Sequence, residues 1–375
     1  MISRERAVEE AARLMLGFAH RTGLIGDGPQ QRYLWTDAFA VCNFLALARA
    51  TGEARHTDLA LRLIDDVHRA LGRFRDDDPR RGWLSGLGEA EGAAHPTRGG
   101  LRIGKRLAER TPDQPYDERL EWERDGQYFH YLTKWMHALD QAARQTGQAR
   151  FNLWARELAE TTHRVFVFER PGRSGRHMAW KMSTDLSRPL VASMGQHDPL
   201  DGYITCVQLR ATASMLESGK PAGPGLDEAI ADFAAMIEGG DLTTADALGL
   251  GSLLMDAARV DQLTKHGAIV GGHLLERLLT AAFEGLSHYA RLGELQRPAS
   301  QRLAFRELGL AIGLSAVGVI GVPSGGAGGE LQRWIDRLKP YLALAAGILA
   351  FWLDDAHRTA PPWPEHRDIN EVMLA

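Results

Sequence analysis

Several features that commonly classify a protein are scarce in this sequence. Two cysteines among 375 residues, Cys42 and Cys206, exclude a disulfide framework. The formal net charge is only -4, from 44 basic and 48 acidic residues, which excludes the overall basicity of a non-specific nucleic-acid binder. Because no apolar segment opens the chain, we expect no signal peptide and a cytosolic location.

Long apolar runs are also lacking. The two most apolar stretches, 308–322 and 341–353, are shorter than the roughly 18–20 residues that span a bilayer, which predicts buried helices and no membrane partner. Alternation with a period of two is almost absent, whereas apolar residues recur at i, i+3, i+4 and i+7, as in amphipathic helices. This pattern predicts an all-α protein with helices at about 4–22, 33–51, 56–74, 126–146, 149–167, 199–217, 226–238, 244–260, 270–289, 301–319, 329–339 and 341–355.

These twelve helices form six hairpins and alternate in character. The even-numbered helices are apolar around most of their circumference, while the odd-numbered helices carry a charged face. The alternation indicates an inner ring of six helices inside an outer ring of six. Since no low-complexity linker interrupts the chain, we expect one domain over 1–375 with a C-terminal tail from about 356. Two connections, the first long loop (about 75–125) and the second long loop (about 168–198), exceed the usual length of structureless loops and therefore indicate function.

The densest group of candidate functional residues lies at 121–135, where the first long loop enters the fourth helix. Asp125 is expected to be the N-cap of that helix, with catalysis as the competing role. A cap does not account for the aromatic, amide and basic side chains crowded around it. His130 is therefore a second catalytic candidate, and the expected ligand contacts here are Trp122, Gln127, Tyr128, Tyr131 and Lys134.

A second group lies where the second long loop enters the sixth helix. Asp198 is expected to cap this helix with Pro199 at its first position, so a structural role competes with catalysis. His197 has no such structural role and is a catalytic candidate that we expect at the mouth of the ring. The expected ligand contacts of this group are Trp180, Lys181, Arg188, Gln196 and Asp201.

Three smaller features complete the predicted site. Asp37 begins the second helix beside Trp35, so it either complements the helix dipole or acts as an acid next to a sugar-stacking ring. Arg102 and Lys105 belong to a glycine-rich part of the first long loop that is suited to an anion, although solvated turns are the alternative. Glu307 opens the tenth helix and is either paired locally or a ligand contact.

Metal and nucleophile chemistry find little support in the motifs. None of the 14 histidines occurs in His-Glu-x-x-His or beside closely spaced cysteines, although His130, His197 and Asp198 could converge in space. No Gly-x-Ser-x-Gly motif occurs, and both cysteines fall within apolar helices. We therefore expect neither a metal ion nor another cofactor.

The six hairpins, with acidic and aromatic residues at the inner-helix starts, resemble the six-hairpin glycosidase superfamily, whose fold is the (α/α)6 toroid. The sequences Trp35-Thr-Asp37-Ala-Phe39 and Asp125-Gly-Gln-Tyr-Phe are similar to inner-helix segments of its unsaturated glucuronyl hydrolase branch. The resemblance implies a saccharide in the toroid mouth, with Asp37 and Asp125 as general acid and base. It also implies a uronate carboxylate held by basic side chains, for which the candidates are Arg102, Lys105 and Arg188.

Two other functions fit the same architecture. Sugar 2-epimerases share the toroid and transfer protons through histidines, a role suited to His130 and His197. A cyclase acting on an apolar substrate, or a binding module without catalysis, also fits the fold. The first expectation is a cofactor-independent, glycosidase-like enzyme acting on a small acidic saccharide, and the sequence leaves the oligomeric state open.

Overall fold

A computed structural model describes residues 3–169, 175–217, 222–321 and 328–375. Residues 170–174 of the second long loop, and the last residue of the apolar stretch 308–322, lie outside the described residues. Helices dominate the described chain, which confirms the all-α class. All twelve expected helices occur, with their ends shifted by a few residues.

Contacts divide the chain into two compact units. One comprises Val8–Gly239, and the other comprises Gly240–Ala375 together with the residues up to Ala7. A single toroid over 1–375 stays a prediction. Helix α1 (Arg4–Arg21) begins just before the first unit and continues into it. The other helices of this unit are α2 (Leu34–Thr51), α3 (Ala54–Leu71), α4 (Glu89–Ala94), α5 (Glu118–Glu123), α6 (Phe129–Thr146), α7 (Ala149–Phe166), α8 (Asp198–Leu216) and α9 (Asp227–Ile237).

Three apolar helices form the centre of the first unit. Helix α6 packs between α2 and α8, while α3, α7 and α9 pack against α2, α6 and α8 respectively. Both α2 and α6 end at a glycine in the left-handed conformation, Gly52 (φ 74°) and Gly147 (φ 70°), whose N–H groups donate to Ala48 and Ala143. The glycines therefore end α2 and α6, and the site described below lies at the N-terminal ends of the central helices.

The long loops contain short strands that the sequence pattern did not predict. They form a three-stranded antiparallel sheet, β1 (Gln127–Tyr128), β4 (Lys181–Met182) and β5 (Pro189–Val191), and a hairpin of β2 (Val167–Glu169) with β3 (Arg176–Met178). Segments of two or three residues are too short to show an alternating pattern. The pairing of β1 with β4 brings the second long loop to the start of α6.

All regular secondary structure in the described part of the second unit is helical. Its helices are α10 (Ala247–Lys265), α11 (Gly272–Leu292), α12 (Ala304–Val317), α13 (Gly328–Leu338), α14 (Leu342–Leu353), α15 (Asp355–Arg358) and α16 (Arg367–Leu374). Helix α12 packs between α10 and α14, and a side chain at Gly251 of α10 would collide with the Gly309 carbonyl of α12. The expected tail from about 356 instead forms helical structure, in which Val372 and Met373 are buried.

Glu307, in the first turn of α12, has its partners close by. Glu307 is buried and accepts hydrogen bonds from Arg302 (2.6 Å) and from the Trp352 indole (2.8 Å), so the local pairing is the one observed. None of the helices in the described ranges has the length and apolar character that crossing a membrane requires.

Candidate functional site

An aromatic wall surrounds the start of α6. It is formed by rings from α2, α6 and both long loops, with neighbouring ring centroids 4.8–6.2 Å apart. Such distances are those of favourable aromatic pairs. The members of the aromatic wall are Tyr33, Trp35, Trp122, Tyr128, His130, Tyr131 and Trp180, so the expected ligand-contacting aromatics do converge.

The wall is linked by specific contacts and not by packing alone. The hydroxyls of Tyr33 and Tyr131 share a hydrogen bond of 2.6 Å. The His130 ring lies nearly parallel to the Trp180 ring, with an interplanar angle of 14° and centroids 5.7 Å apart. Trp122 is 46% exposed and meets Trp180 edge-on, so it forms the outer end of the wall.

Four ionisable side chains on α6 and α8 form an acid–base group beside this wall. His130 and Lys134 are one helical turn apart on α6, as Asp198 and Asp201 are on α8. Asp201 bridges the two helices, because its Oδ2 accepts hydrogen bonds from Lys134 Nζ (2.8 Å) and from Thr133 Oγ1 (2.5 Å). These contacts bring the predicted catalytic residues His130 and Asp198 to one end of the bundle.

Asp198 is the most unusual member of the acid–base group. Burial raises the pKa of its carboxyl to about 7, the neighbouring Asp201 adds to the shift, and the Gly195 backbone and Lys134 oppose it. Its Oδ2 is buried without a hydrogen-bond partner among the described residues. A side chain at Gly195 would approach that oxygen to 2.6 Å, so the segment before α8 covers the carboxyl.

The position of Asp198 differs from the sequence prediction. The residue before α8 is His197, and Asp198 is already the first helical residue, so it is not the N-cap. Its side chain therefore escapes the capping role that competed with catalysis. His197 is half-buried and Gln196 exposed, and both lie in the segment that leads into α8.

His130 is electrically neutral at physiological pH. Burial lowers its pKa to about 3, with Lys134 reinforcing the shift and Asp201 opposing it. Its Nδ1 is buried without a hydrogen-bond partner among the described residues. The acid–base group thus contains a neutral imidazole, a carboxyl that titrates near neutrality and one ion pair.

The raised pKa of Asp198 has a measurable effect on stability. Between its ordinary value of 3.8 and about 7, the folded protein binds the proton more tightly than the unfolded chain, so Asp198 lowers stability progressively as pH rises through that window. We expect the free energy of unfolding of Asp198→Asn, relative to the unmodified protein, to rise from pH 4 to pH 7 and then level off. Urea unfolding at a series of pH values measures this difference. A difference that does not change with pH would contradict the raised pKa of Asp198.

Asp125 takes a different place from the one expected. It lies in the loop four residues before α6, fully buried, and is not the cap of that helix. Its Oδ2 accepts a hydrogen bond from Arg102 Nη1 (2.6 Å), and its Oδ1 accepts from the backbone N–H groups of Gly104 (3.0 Å) and Gly126 (3.1 Å). Arg102 further donates to the carbonyls of Ala70 and Arg73. Both side chains therefore fasten the first long loop.

Asp37 is also held in a buried ion pair. Its Oδ1 accepts from Arg32 at 3.2 Å, both side chains being 1% exposed, and its Oδ2 accepts from the Tyr33 N–H at the start of α2 (3.0 Å). The carboxylate therefore accepts a hydrogen bond from a backbone N–H at the positive end of the α2 dipole, as the dipole interpretation predicts. The two carboxylates carried over from the resemblance are thus each paired with their own arginine.

Two other expected ligand contacts join the long loops to each other. Gln127 accepts from the Leu101 N–H (2.8 Å) and donates to the carbonyls of Gly99 (3.0 Å) and Thr184 (2.8 Å). Lys181 is 0% exposed, and its ammonium donates to the side chain (2.9 Å) and the carbonyl (2.6 Å) of Glu121. The polar groups of Gln127 and Lys181 therefore bind other residues of the protein.

The remaining basic candidates differ in their surroundings. Arg188 donates to the carbonyl of Arg110, which again ties the loops together. Lys105 places its ammonium 5.5 Å from the centre of the Tyr33 ring, at the edge of the aromatic wall. Of the three cations expected to hold a uronate, Lys105 is therefore the one beside the wall.

The site offers little for a metal ion. No group of three or more His, Cys, Asp or Glu side chains within the described ranges is arranged to hold one. The buried partners of Asp37 and Asp125 are arginines, which cannot serve as metal ligands.

Comparison with known proteins identifies no relative. No family model matches the sequence, and no curated protein or solved structure is significantly similar to it. Membership of the six-hairpin glycosidase superfamily therefore stays a prediction.

Proposed function

We propose that this protein is a carbohydrate-active enzyme of the glycosidase type, in which Asp198 transfers the proton. One observation carries the proposal: a buried carboxyl lies beside the Lys134–Asp201 ion pair, with a pKa near 7 and an Oδ2 that has no partner in the described part of the chain. General acid–base catalysis works best when the group titrates near the operating pH. The cytosol, with no membrane or nucleic-acid partner, is part of the same proposal.

Two carboxylates in contrasting environments suit glycosidic bond cleavage. Asp198 holds its proton because it is buried, while Asp201 faces the ammonium of Lys134. Enzymes assign acid and base roles by separating the proton affinities of neighbouring groups in this way. We assign the acid role to Asp198, and we place the complementary carboxylate role on Asp201 in preference to the arginine-paired Asp37 and Asp125.

The aromatic wall supplies the apolar face of a saccharide site. Trp and Tyr rings bury the C–H faces of ligands while their polar edges remain available for hydrogen bonds. Lys105, at the edge of the wall, is the group that we assign to a substrate carboxylate, which keeps a small acidic saccharide as the proposed substrate.

A second candidate function is sugar epimerisation. The observation in its favour is Nδ1 of His130, which has no partner within the described ranges and can accept a proton or a hydrogen bond from a ligand. Its low pKa makes the imidazole a weak base near pH 7, and for this reason hydrolysis comes first.

Incubation with a panel of small uronate-containing and neutral disaccharides and monosaccharides tests the proposal. Hydrolysis predicts two products whose combined mass exceeds that of the substrate by one water, whereas epimerisation predicts a product of unchanged mass with a new NMR spectrum. Thermal shifts without any product would support the binding module instead. If no compound is converted or shifts the melting temperature, the proposal is wrong.

A further inference from the structure

Two buried nitrogen atoms in the aromatic wall lack hydrogen-bond partners among the described residues. They are Nε1 of Trp35 and Nδ1 of His130. Trp35 is only 7% exposed, and its indole N–H is a donor with no acceptor role. Burying a polar group without a partner is unfavourable, so two such groups in one cluster require a physical reason.

The two rings are neighbours. Their centroids lie 6.0 Å apart with an interplanar angle of 66°, so the imidazole and the indole meet edge to face. One oxygen atom can join two nitrogens through hydrogen bonds of about 3 Å each. A hydroxyl is the group that fits, because it accepts from an N–H and donates to a bare ring nitrogen at the same time.

We propose that Trp35 and His130 bind one hydroxyl of the substrate between them, with Trp35 Nε1 donating a hydrogen bond to its oxygen and His130 Nδ1 accepting a hydrogen bond from its O–H. The proposal rests on the proposed function and deepens it, because it makes this pair a determinant of specificity. It requires the His130 tautomer that carries its proton on Nε2. A substrate that lacks this hydroxyl leaves both nitrogens unsatisfied and binds more weakly.

Access to the pair requires a ring to move. Both nitrogens are screened from solvent. Trp180 lies parallel to His130, is only half-buried and touches the exposed Trp122, so it is the ring that we expect the substrate to displace. The hydrogen bonds to the hydroxyl offset the lost contact between the rings.

The test measures binding of matched sugars by titration calorimetry. The probes are methyl glycosides of glucose, galactose and their uronic acids, each compared with its singly deoxygenated analogues. With the unmodified protein, removal of one particular hydroxyl should weaken binding about 10- to 100-fold, as expected for an unsatisfied buried pair. In Trp35→Phe, which retains a ring but lacks the N–H, the same removal should cost less than about threefold.

A matched control is available in the same unit. Trp83 also has a buried Nε1 without a partner in the described chain, but its ring lies under Arg73 and outside the aromatic wall. Trp83→Phe should therefore preserve the dependence on the hydroxyl. If Trp35→Phe does not fold, His130→Phe removes the other nitrogen and should abolish the same dependence.

The outcomes separate this inference from the proposed function. If the enzyme binds or converts sugars but no single hydroxyl matters, or if the dependence survives in Trp35→Phe and His130→Phe, the hydroxyl-binding pair is wrong while the enzyme proposal stands. If none of the glycosides binds and none of the disaccharide panel is converted, both are wrong. If binding to Trp83→Phe no longer depended on the hydroxyl, the assignment of that hydroxyl to Trp35 and His130 would also be contradicted.

Discussion

Asp198→Asn should lower the turnover of the substrate identified by the panel by about 10²- to 10⁴-fold, the usual contribution of a general acid or base. Asparagine has nearly the same shape but cannot deliver a proton. In the unmodified enzyme, the acid role also predicts that kcat/KM falls as pH rises above about 7, where Asp198 loses its proton. Steady-state kinetics between pH 5 and pH 9 measure both effects.

The matched control is an aspartate at the start of the next helix. Asp227 is the first residue of α9, and its exposed side chain pairs with Arg210. Asp227→Asn makes the same chemical change outside the acid–base group and should leave turnover within about threefold of the unmodified enzyme. Retention of turnover in Asp198→Asn, with a well-folded variant, would remove Asp198 from the mechanism.

Lys181→Met should lower the free energy of unfolding by about 3–5 kcal/mol, because it breaks a buried ion pair and leaves one partner charged. Methionine replaces the aliphatic stem of Lys181, but Glu121 then faces only Arg110, and the carbonyls of Glu121 and Arg124 lose their donor. Guanidinium unfolding followed by tryptophan fluorescence measures the loss.

An exposed ion pair provides the control for this prediction. Lys339 pairs with Asp336 at 2.6 Å, and both side chains are more than half exposed. Lys339→Met should change the free energy of unfolding by less than about 1 kcal/mol. The double variant Lys181→Met/Glu121→Gln should recover part of the loss, because it also removes the buried carboxylate charge that has lost its ammonium partner. Equal effects for Lys181→Met and Lys339→Met would show that burial of the Lys181–Glu121 pair has no energetic consequence.

The sequence predicted those parts of the fold that depend on local patterning. Apolar periodicity located the twelve helices to within a few residues of their ends. The strands escaped prediction because each is only two or three residues long, and because β1 pairs with a distant segment, as in the pairing of Tyr128 with Lys181.

The candidate site was predictable in composition but not in roles. Most residues of the aromatic wall were candidates because bulky rings and a histidine crowd the sequence around the starts of α2, α6 and α8, whereas Tyr33 was missed. The role of Asp125 could not be derived from its neighbours, since an acid before a helical pattern has the form of an N-cap. Its actual partner, Arg102, lies 23 positions earlier in the chain, and no local rule relates the two.

The contacts of Gln127 also affect which parts of the long loops can change in length during evolution. Surface loops usually accept insertions more readily than helices. Here one amide side chain fixes both long loops, and a side chain at Gly100 would overlap its Oε1. Within the first long loop, residues 111–120 are exposed throughout, so length variation among descendants of this sequence should accumulate in that stretch.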